Sequence, residues 1–171
     1  ISERITSQFH AQYNHSEQLN FDLKSSLNIA NRLLYIHSDF NLPTTVLNGD
    51  QTTSFNEMTA NINFKNSSLI VGANFLQDDF IKLDDGRANF NSLEENHQTI
   101  GLFSNYNWSL GKKLDLETGL RLDYNQNESN ISADDGQLFI LPRIAALIKY
   151  NDKWSSRIGG GMGYRPLTVF N

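Results

Sequence analysis

The sequence has no cysteine among its 171 residues. This absence excludes a disulfide scaffold, a thiolate zinc site and a cysteine nucleophile. It also lacks any run near the ~18 consecutive apolar residues of a transmembrane helix, which excludes a helical membrane protein. The formal net charge is -5, so binding to nucleic acid through phosphate contacts is not expected. Phe, Tyr and Trp make up 11% of the residues, which is more than a disordered tail carries.

Motifs for catalysis and metal binding are absent as well. No Ser or Thr lies in a nucleophile-elbow sequence, and the glycines of 159–163 are not followed by the helix of a phosphate loop. The Asp-Asp-Gly sequences at 84–86 and 134–136 are typical of solvated turns and lack the ligand spacing of a calcium loop. The histidines also lack metal-ligand spacing: His10, His15, His37 and His97. We therefore predict a protein that is not an enzyme, with no metal and no cofactor.

Neither end of the sequence has the features expected at the terminus of a complete protein. Residues 1–5 have none of the features of a signal peptide, and residues 167–171 stop without a terminating element. We expect both ends to be cuts through a longer protein.

Alternation with a period of two dominates the chain, and helical periodicity is nearly absent. The segment 113–124 is the clearest case. Leu, Thr and Tyr occupy its even positions, whereas Asp115, Glu117, Arg121 and Asp123 occupy the odd ones. Successive side chains of a strand point to opposite faces, so this segment predicts a strand with one apolar and one charged face.

The same pattern predicts about eight long strands. We place them at 4–13, 19–40, 54–65, 68–79, 97–109, 112–125, 138–151 and 153–165. The second could be one strand or two, and we favour one because no Gly or Pro marks a turn near Asn31-Arg32.

The connections between these strands alternate between short and long. The long ones are 41–53, 78–96 and 126–137. Short turns on one side and long loops on the other are typical of bacterial outer-membrane barrels. Several strands also reach the ~9–11 residues that a tilted strand needs to cross a bilayer.

Aromatic residues cluster near the predicted strand ends, as in the two girdles of a membrane barrel. Those beside the short turns are Tyr13, Phe64, Trp108, Tyr150 and Trp154, and Tyr124 and Tyr164 lie near the opposite ends. A soluble β core filled by the same rings is the alternative. If Tyr164 faces lipid together with Ile158 and Met162, then Gly159, Gly161 and Gly163 face the lumen. The charged side chains predicted to face the lumen are Asp115, Glu117, Arg121, Asp123, Arg143, Lys149, Arg157 and Arg165.

Residues 97–170 resemble the barrel of TonB-dependent outer-membrane receptors. The segments that carry the resemblance are residues 100–108, the GLRLDY sequence at 119–124, the Pro142-Arg143 pair and the GGGMGYRP sequence at 159–166. Leu167 before Thr168 is a departure from the family pattern. Residues 1–96 share with the family only a general pattern of amphipathic strands.

The resemblance implies an all-β, antiparallel, up-and-down transmembrane barrel segment that spans residues 1–171. It also implies a plug domain and a TonB-contacting segment elsewhere in the full-length protein. Such receptors lie in the outer membrane of Gram-negative bacteria and import scarce ligands, such as iron chelates, cobalamin or glycans, with energy passed on by TonB. The expected partners are outer-membrane lipid, the plug domain and TonB, with no nucleic acid. An isolated fragment is expected to self-associate through its edge strands.

Two other functions remain open from the sequence. A soluble β-sandwich could bind a carbohydrate or another ligand through surface aromatics. A complete small outer-membrane barrel is disfavoured because the C-terminus lacks a full last strand. If the chain contacts a ligand, the candidates lie in the external loops: Phe80, Arg87, Phe90 and Asn91.

Overall fold

The described residues form one sheet of eight antiparallel strands. The computed structural model describes residues 3–36, 45–83, 94–129 and 135–164. The strands are β1 (Glu3–Asn14), β2 (Leu19–Ile36), β3 (Thr45–Asn63), β4 (Ser67–Leu83), β5 (Glu94–Leu110), β6 (Leu114–Ser129), β7 (Gln137–Asn151) and β8 (Trp154–Gly161). Each strand pairs with its sequence neighbours in the order β1 to β8. The predicted all-β, up-and-down architecture is confirmed. Among the described residues, no helix is long and apolar enough to span a membrane.

The second predicted strand is a single strand, as favoured. It pairs with β3 without interruption from Leu19 to Ile36. Asn31 and Arg32 lie inside this pairing and face Asp50 and Gly49. Residues 37–40, the remainder of the predicted strand, lie outside the described residues.

The long connections were predicted to contain more residues than they do. Residues 45–53 belong to β3, 79–83 to β4, 94–96 to β5 and 126–129 to β6. Three parts of them, 48–53, 94–96 and 126–129, are polar on both faces, so they resemble loops in sequence. Their backbones nevertheless stay paired because hydroxyl and amide side chains bond across the strands. Asn31, for example, donates a hydrogen bond of 2.8 Å to Asp50.

The sheet has an apolar face and a polar face. One cross-strand row of the apolar face runs through Leu23, Met58, Ala73, Leu102, Leu122 and Ile140. One row of the polar face runs through His10, Lys24, Glu57, Asn74, Gly101, Asp123 and Phe139. Large exposed hydrophobic side chains within the described strands project from the apolar face, with Ile5 and Ile158 exposed by more than two thirds.

Burial shows which way the sheet curves. The buried side chains of the described residues all lie on the polar face: Thr59, Asn74, Phe80, Thr99, Asp123 and Asn125. Side chains crowd together on the concave side of a curved sheet and spread apart on the convex side. The polar face is therefore concave, and the apolar face is convex and uncovered.

Two glycines make room for phenylalanine rings on the polar face. A Cβ at Gly72 would overlap the Phe103 ring and would lie 2.9 Å from the Met58 carbonyl oxygen. A Cβ at Gly49 would lie 2.5 Å from the Phe80 ring. Aromatic rings thus cover backbone where a side chain is missing, which lets Phe80 be buried on an open sheet.

We expect a Gly72→Val substitution to destabilise the full-length protein by about 1–3 kcal/mol, because the new side chain overpacks against Phe103 and a backbone carbonyl. The matched control is Gly160→Val on the apolar face of β8, where a Cβ meets nothing within 4 Å. Denaturant unfolding in lipid vesicles measures both changes in the free energy of unfolding. Equal losses from the two variants would contradict this packing.

Candidate functional site

The polar face carries an ion-pair cluster across β6, β7 and β8. Glu117 forms ion pairs with Arg143 and, at 2.8 Å, with Arg157. Lys149 lies 2.7 Å from Asp115 one row nearer the short turns. Arg143 and Lys149 lie diagonally opposite Glu117 and Asp115 on the neighbouring strand β7, and Arg157 reaches Glu117 from β8, two strands away. The cluster neutralises most of the charge of this part of the face.

A second cluster on the polar face is buried. Asp123 is only 3% exposed, and the Arg121 Nε atom lies 2.7 Å from its Oδ1 and 2.8 Å from its Oδ2. Arg121 also donates through Nη2 to Asn74 Oδ1 at 3.2 Å. Opposite them, a Cβ at Gly101 would lie 2.7 Å from both Arg121 and Asp123. Glycine at this position is what allows the carboxylate and guanidinium to fold down against the sheet.

Tyr164 covers this buried cluster, which corrects the prediction that it faces lipid. Its ring stacks on Phe139 with a centroid distance of 3.9 Å, and its hydroxyl group hydrogen-bonds with Asp123 and Asn125. The prediction placed Tyr164 on the lipid side by continuing the alternation of β8 beyond its end. The strand ends at Gly161, however, and beyond it the Tyr164 side chain lies over Phe139 of β7 and beside Asp123 of β6 on the polar face.

We expect Tyr164→Phe to lower the free energy of unfolding by about 1 kcal/mol, since it removes the hydroxyl hydrogen bonds and keeps the stacked ring. Tyr164→Ala also removes the stack with Phe139 and should cost about 1 kcal/mol more. Tyr150→Phe, at an exposed tyrosine near a short turn, is the control. Denaturant titration of the full-length protein separates the three. An unchanged Tyr164→Ala variant would show that Tyr164 does not hold the cluster.

A third group of polar residues lies nearer the long connections. Asp78 accepts hydrogen bonds from Gln51 at 2.8 Å and from Thr53 at 2.6 Å. Burial lowers the pKa of His97, which faces Asp78 across β4 and β5, and the charge of Asp78 partly offsets this effect. Burial also raises the pKa of Glu95. For His97, burial thus favours the neutral imidazole. Within the described part of the chain, no group of three His, Cys, Asp or Glu side chains is placed to hold a metal ion.

The structure brings together most of the predicted polar residues. Asp115, Glu117, Arg121, Asp123, Arg143, Lys149 and Arg157 share the polar face. Gly159 and Gly161 lie on the same face, opposite Ala145 and Arg143. Arg165 lies outside the described residues.

Of the four predicted ligand contacts, only Phe80 lies among the described residues. Phe80 belongs to β4 and not to a loop, so that part of the prediction was wrong. It is 4% exposed, which leaves almost no surface for a ligand. Arg87, Phe90 and Asn91 lie outside the described residues. Sequence reasoning missed Asn74 and Gly101, although their alternation with apolar neighbours was visible.

The apolar face has the height of a bilayer core. On β6 its apolar row runs from Leu114 to Tyr124, which is about 33 Å along the strand. At the usual strand tilt this corresponds to a band about 25 Å tall. Above it the same face becomes polar, with Gln126 and Glu128 on β6 and Asn96 on β5. Exposed Trp108, Trp154 and Tyr150 border the band beside the short turns.

An uncovered apolar band of this height, on the convex face of a curved antiparallel sheet, is typical of the wall of a membrane barrel. The family model described as "TonB dependent receptor-like, beta-barrel" matches residues 2–171. The chain belongs to this family. The resemblance found in the sequence is thus confirmed and extends over residues 2–96 as well. TonB-dependent receptors are transporters and not enzymes, as predicted.

Solved structures show the same fold. FecA, a ferric citrate transporter in its unliganded form, has a TM-score of 0.77 at 12% identity and covers 94% of this chain. The ferric-catecholate import receptor Fiu from E. coli K12 also reaches 0.77, at 9% identity over 96% of the chain. The receptor in the FpvAI–pyocin S2 complex reaches 0.73, at 12% identity over 90%. A comparison with proteins of curated function finds no match.

The chain corresponds to only part of these receptors. It spans 27% of the FecA chain, 36% of Fiu and 25% of the FpvAI complex chain. These neighbours are outer-membrane proteins of Gram-negative bacteria.

Proposed function

We propose that this chain forms part of the barrel wall of an active-transport receptor in the outer membrane of a Gram-negative bacterium. The full-length protein imports a scarce ligand with energy supplied through TonB. Its apolar face contacts lipid, and its polar face lines the lumen and contacts a plug domain that lies elsewhere in the full-length protein. The observation that carries the proposal is the exposed apolar band on one face of the eight described strands, opposite a concave face that carries their charged clusters.

The ligand is one of three classes: an iron chelate, cobalamin or a glycan. Iron chelates have the strongest support, because two structural neighbours are named for ferric citrate and ferric catecholate. On the present chain, Arg87, Phe90 and Asn91 are the proposed ligand contacts.

The soluble β-sandwich fits the structure poorly. A sandwich buries its apolar side chains between two stacked sheets. The described residues form a single sheet, and its apolar face is exposed.

Uptake measurements test the proposal. Cells with and without the full-length gene are compared for uptake of labelled iron chelates, cobalamin and oligosaccharides. We expect one class to depend on the gene and to be abolished by a proton uncoupler, which removes the energy that TonB transmits. Uptake that depends on the gene but resists the uncoupler would contradict energised transport. No gene-dependent uptake of any class would contradict the function.

The edges of the sheet predict how the isolated 171-residue chain behaves. In the described residues β1 and β8 each pair on one side only, which leaves a row of free backbone groups on each. We expect this chain alone to form dimers or larger assemblies, or to require detergent, because edges and apolar face are both uncovered. Light scattering measures this. A clean monomer in buffer at all concentrations would contradict the expectation.

A further inference from the structure

A hollow of about 420 Å³ opens at the short-turn end of the sheet, between the β5–β6 turn and the β7–β8 turn. The two turns are joined, because the backbone N–H of Lys149 donates a hydrogen bond of 2.8 Å to the carbonyl oxygen of Lys113. The Asn151 side chain fixes the second turn by accepting hydrogen bonds of 2.9 Å from the backbone N–H groups of Lys153 and Trp154. The backbones that carry these side chains are therefore held in place around one hollow.

The hollow has an excess of positive charge. Four lysines line it: Lys112, Lys113, Lys149 and Lys153. The only described carboxylate in its lining is Asp152. Lys149 is paired with Asp115 at 2.7 Å, but no carboxylate of the described residues forms an ion pair with the other three lysines. These three cations outnumber the one aspartate, so the hollow attracts anions although the whole chain has a net charge of -5.

The hollow also lies at the border of the apolar band. The apolar row of β6 begins at Leu114, directly after Lys112 and Lys113. Tyr150 and Trp154 line the hollow, and both rings are exposed. Trp and Tyr side chains favour the level of the lipid headgroups, and lysines there lay their apolar stems along the band. An occupant that contacts all of these groups has an anionic head and an apolar tail.

The opposite end of the sheet carries the other sign of charge. Near the long connections, the described strands carry several carboxylates: Asp78, Asp79, Glu94, Glu95 and Glu128. Short turns lie on the periplasmic side of outer-membrane barrels. The attraction for anions is thus confined to the end of the sheet that meets the periplasmic leaflet.

We propose that this hollow binds the phosphate headgroup of an anionic phospholipid in the periplasmic leaflet. The inference rests on the proposed function, because that function places the apolar face in lipid and the short turns in the periplasm. The phosphate lies among Lys112, Lys113 and Lys153, and the acyl chains lie along the apolar face beside Trp154. A zwitterionic phospholipid binds more weakly, since the lysines repel the cation of its headgroup. A soluble anion makes no use of the apolar border.

Competition between two lipids tests the proposal on the purified full-length receptor in detergent. Native mass spectrometry measures how strongly the receptor prefers phosphatidylglycerol to phosphatidylcholine of the same chain length. Each lysine near an anionic surface contributes roughly a fivefold preference. We expect Lys112→Gln combined with Lys153→Gln to reduce the preference by roughly tenfold to thirtyfold. Lys112→Arg combined with Lys153→Arg retains both charges and should retain the preference.

The matched control also removes two lysines, but away from the hollow. It combines Lys24→Gln on the polar face with Lys65→Gln on the β3–β4 turn. The shift of the folded barrel on gels before and after heating shows that each variant has folded. An unchanged preference after removal of Lys112 and Lys153 would overturn the proposal. An equal loss in the control would overturn it too, because the attraction would then belong to the whole surface.

Inorganic phosphate separates a lipid from a soluble anion. We expect phosphatidylglycerol to stay bound when millimolar phosphate replaces chloride at constant ionic strength. Displacement by phosphate would overturn the proposal, since the hollow would then be a site for a soluble anion.

The lipid measurement is independent of the transport assay, because it needs neither a transported ligand nor TonB. A receptor that imports none of the tested ligands but keeps the lipid preference contradicts only the proposed function. A receptor that imports normally and shows no preference contradicts only the lipid site.

Discussion

Replacing Leu120 by arginine is expected to destabilise the full-length protein in a lipid bilayer by about 2–4 kcal/mol. Leu120 lies on the apolar face near mid-height of the band on β6, and it is 45% exposed. In water, a substitution at so exposed a position stays within about 0.5 kcal/mol. A large loss at an exposed leucine therefore identifies the surrounding medium as hydrocarbon.

The control for this prediction is Gln126→Arg. Gln126 lies on the same face of the same strand, above the band, and is hydrogen-bonded with Glu128 at 2.8 Å. Arginine near the membrane interface costs about 0–1 kcal/mol. Denaturant titration in vesicles gives both free energies of unfolding. If the two variants lose the same small amount, the apolar face does not contact lipid.

Replacing Arg121 by methionine is expected to cost about 3 kcal/mol of unfolding free energy. The substitution leaves Asp123 buried without its cation, and breaking a buried ion pair typically costs about 3–5 kcal/mol. We expect the lower end of this range because the Arg121 side chain is 35% exposed and already partly screened by water.

Lys24→Met is the matched control, because it removes the cation of the Lys24–Glu57 pair on the same face. The side chain of Lys24 is 53% exposed, and such surface pairs contribute about 0–1 kcal/mol. The two variants are compared in vesicles by denaturant unfolding. A loss at Arg121 no larger than that at Lys24 would show that the Asp123 cluster does not stabilise the wall.

The period-two alternation was sufficient to predict the fold class and to assign residues to the two faces of the sheet. In 113–124 the alternation alone assigned Asp115, Glu117, Arg121 and Asp123 to one face, and the structure puts them there. The single long strand at β2 followed from the absence of a turn signal. The predicted lengths of β3 to β6 were too short, because segments such as 48–53 are polar on both faces and show no alternation, whereas the predicted length of β8 was too long.

The pattern could not show what happens where a strand stops. Tyr164 was assigned to the lipid side because the count was carried past Gly161, and the structure turns it inward onto Phe139. The burial of Phe80 against Gly49 was equally hidden, because it depends on contacts between residues 31 positions apart.

Alternation of side chains is a local consequence of strand geometry. The sequence by itself therefore determined that this chain is an antiparallel sheet with one apolar face and one polar face. Tertiary structure alone decided the curvature, the register that assembles Asn74, Gly101, Arg121 and Asp123, and the packing of the Phe80 and Phe103 rings against glycines. Each of these depends on which residues of different strands stand opposite one another, and pairing between strands is set by backbone hydrogen bonds over the whole sheet.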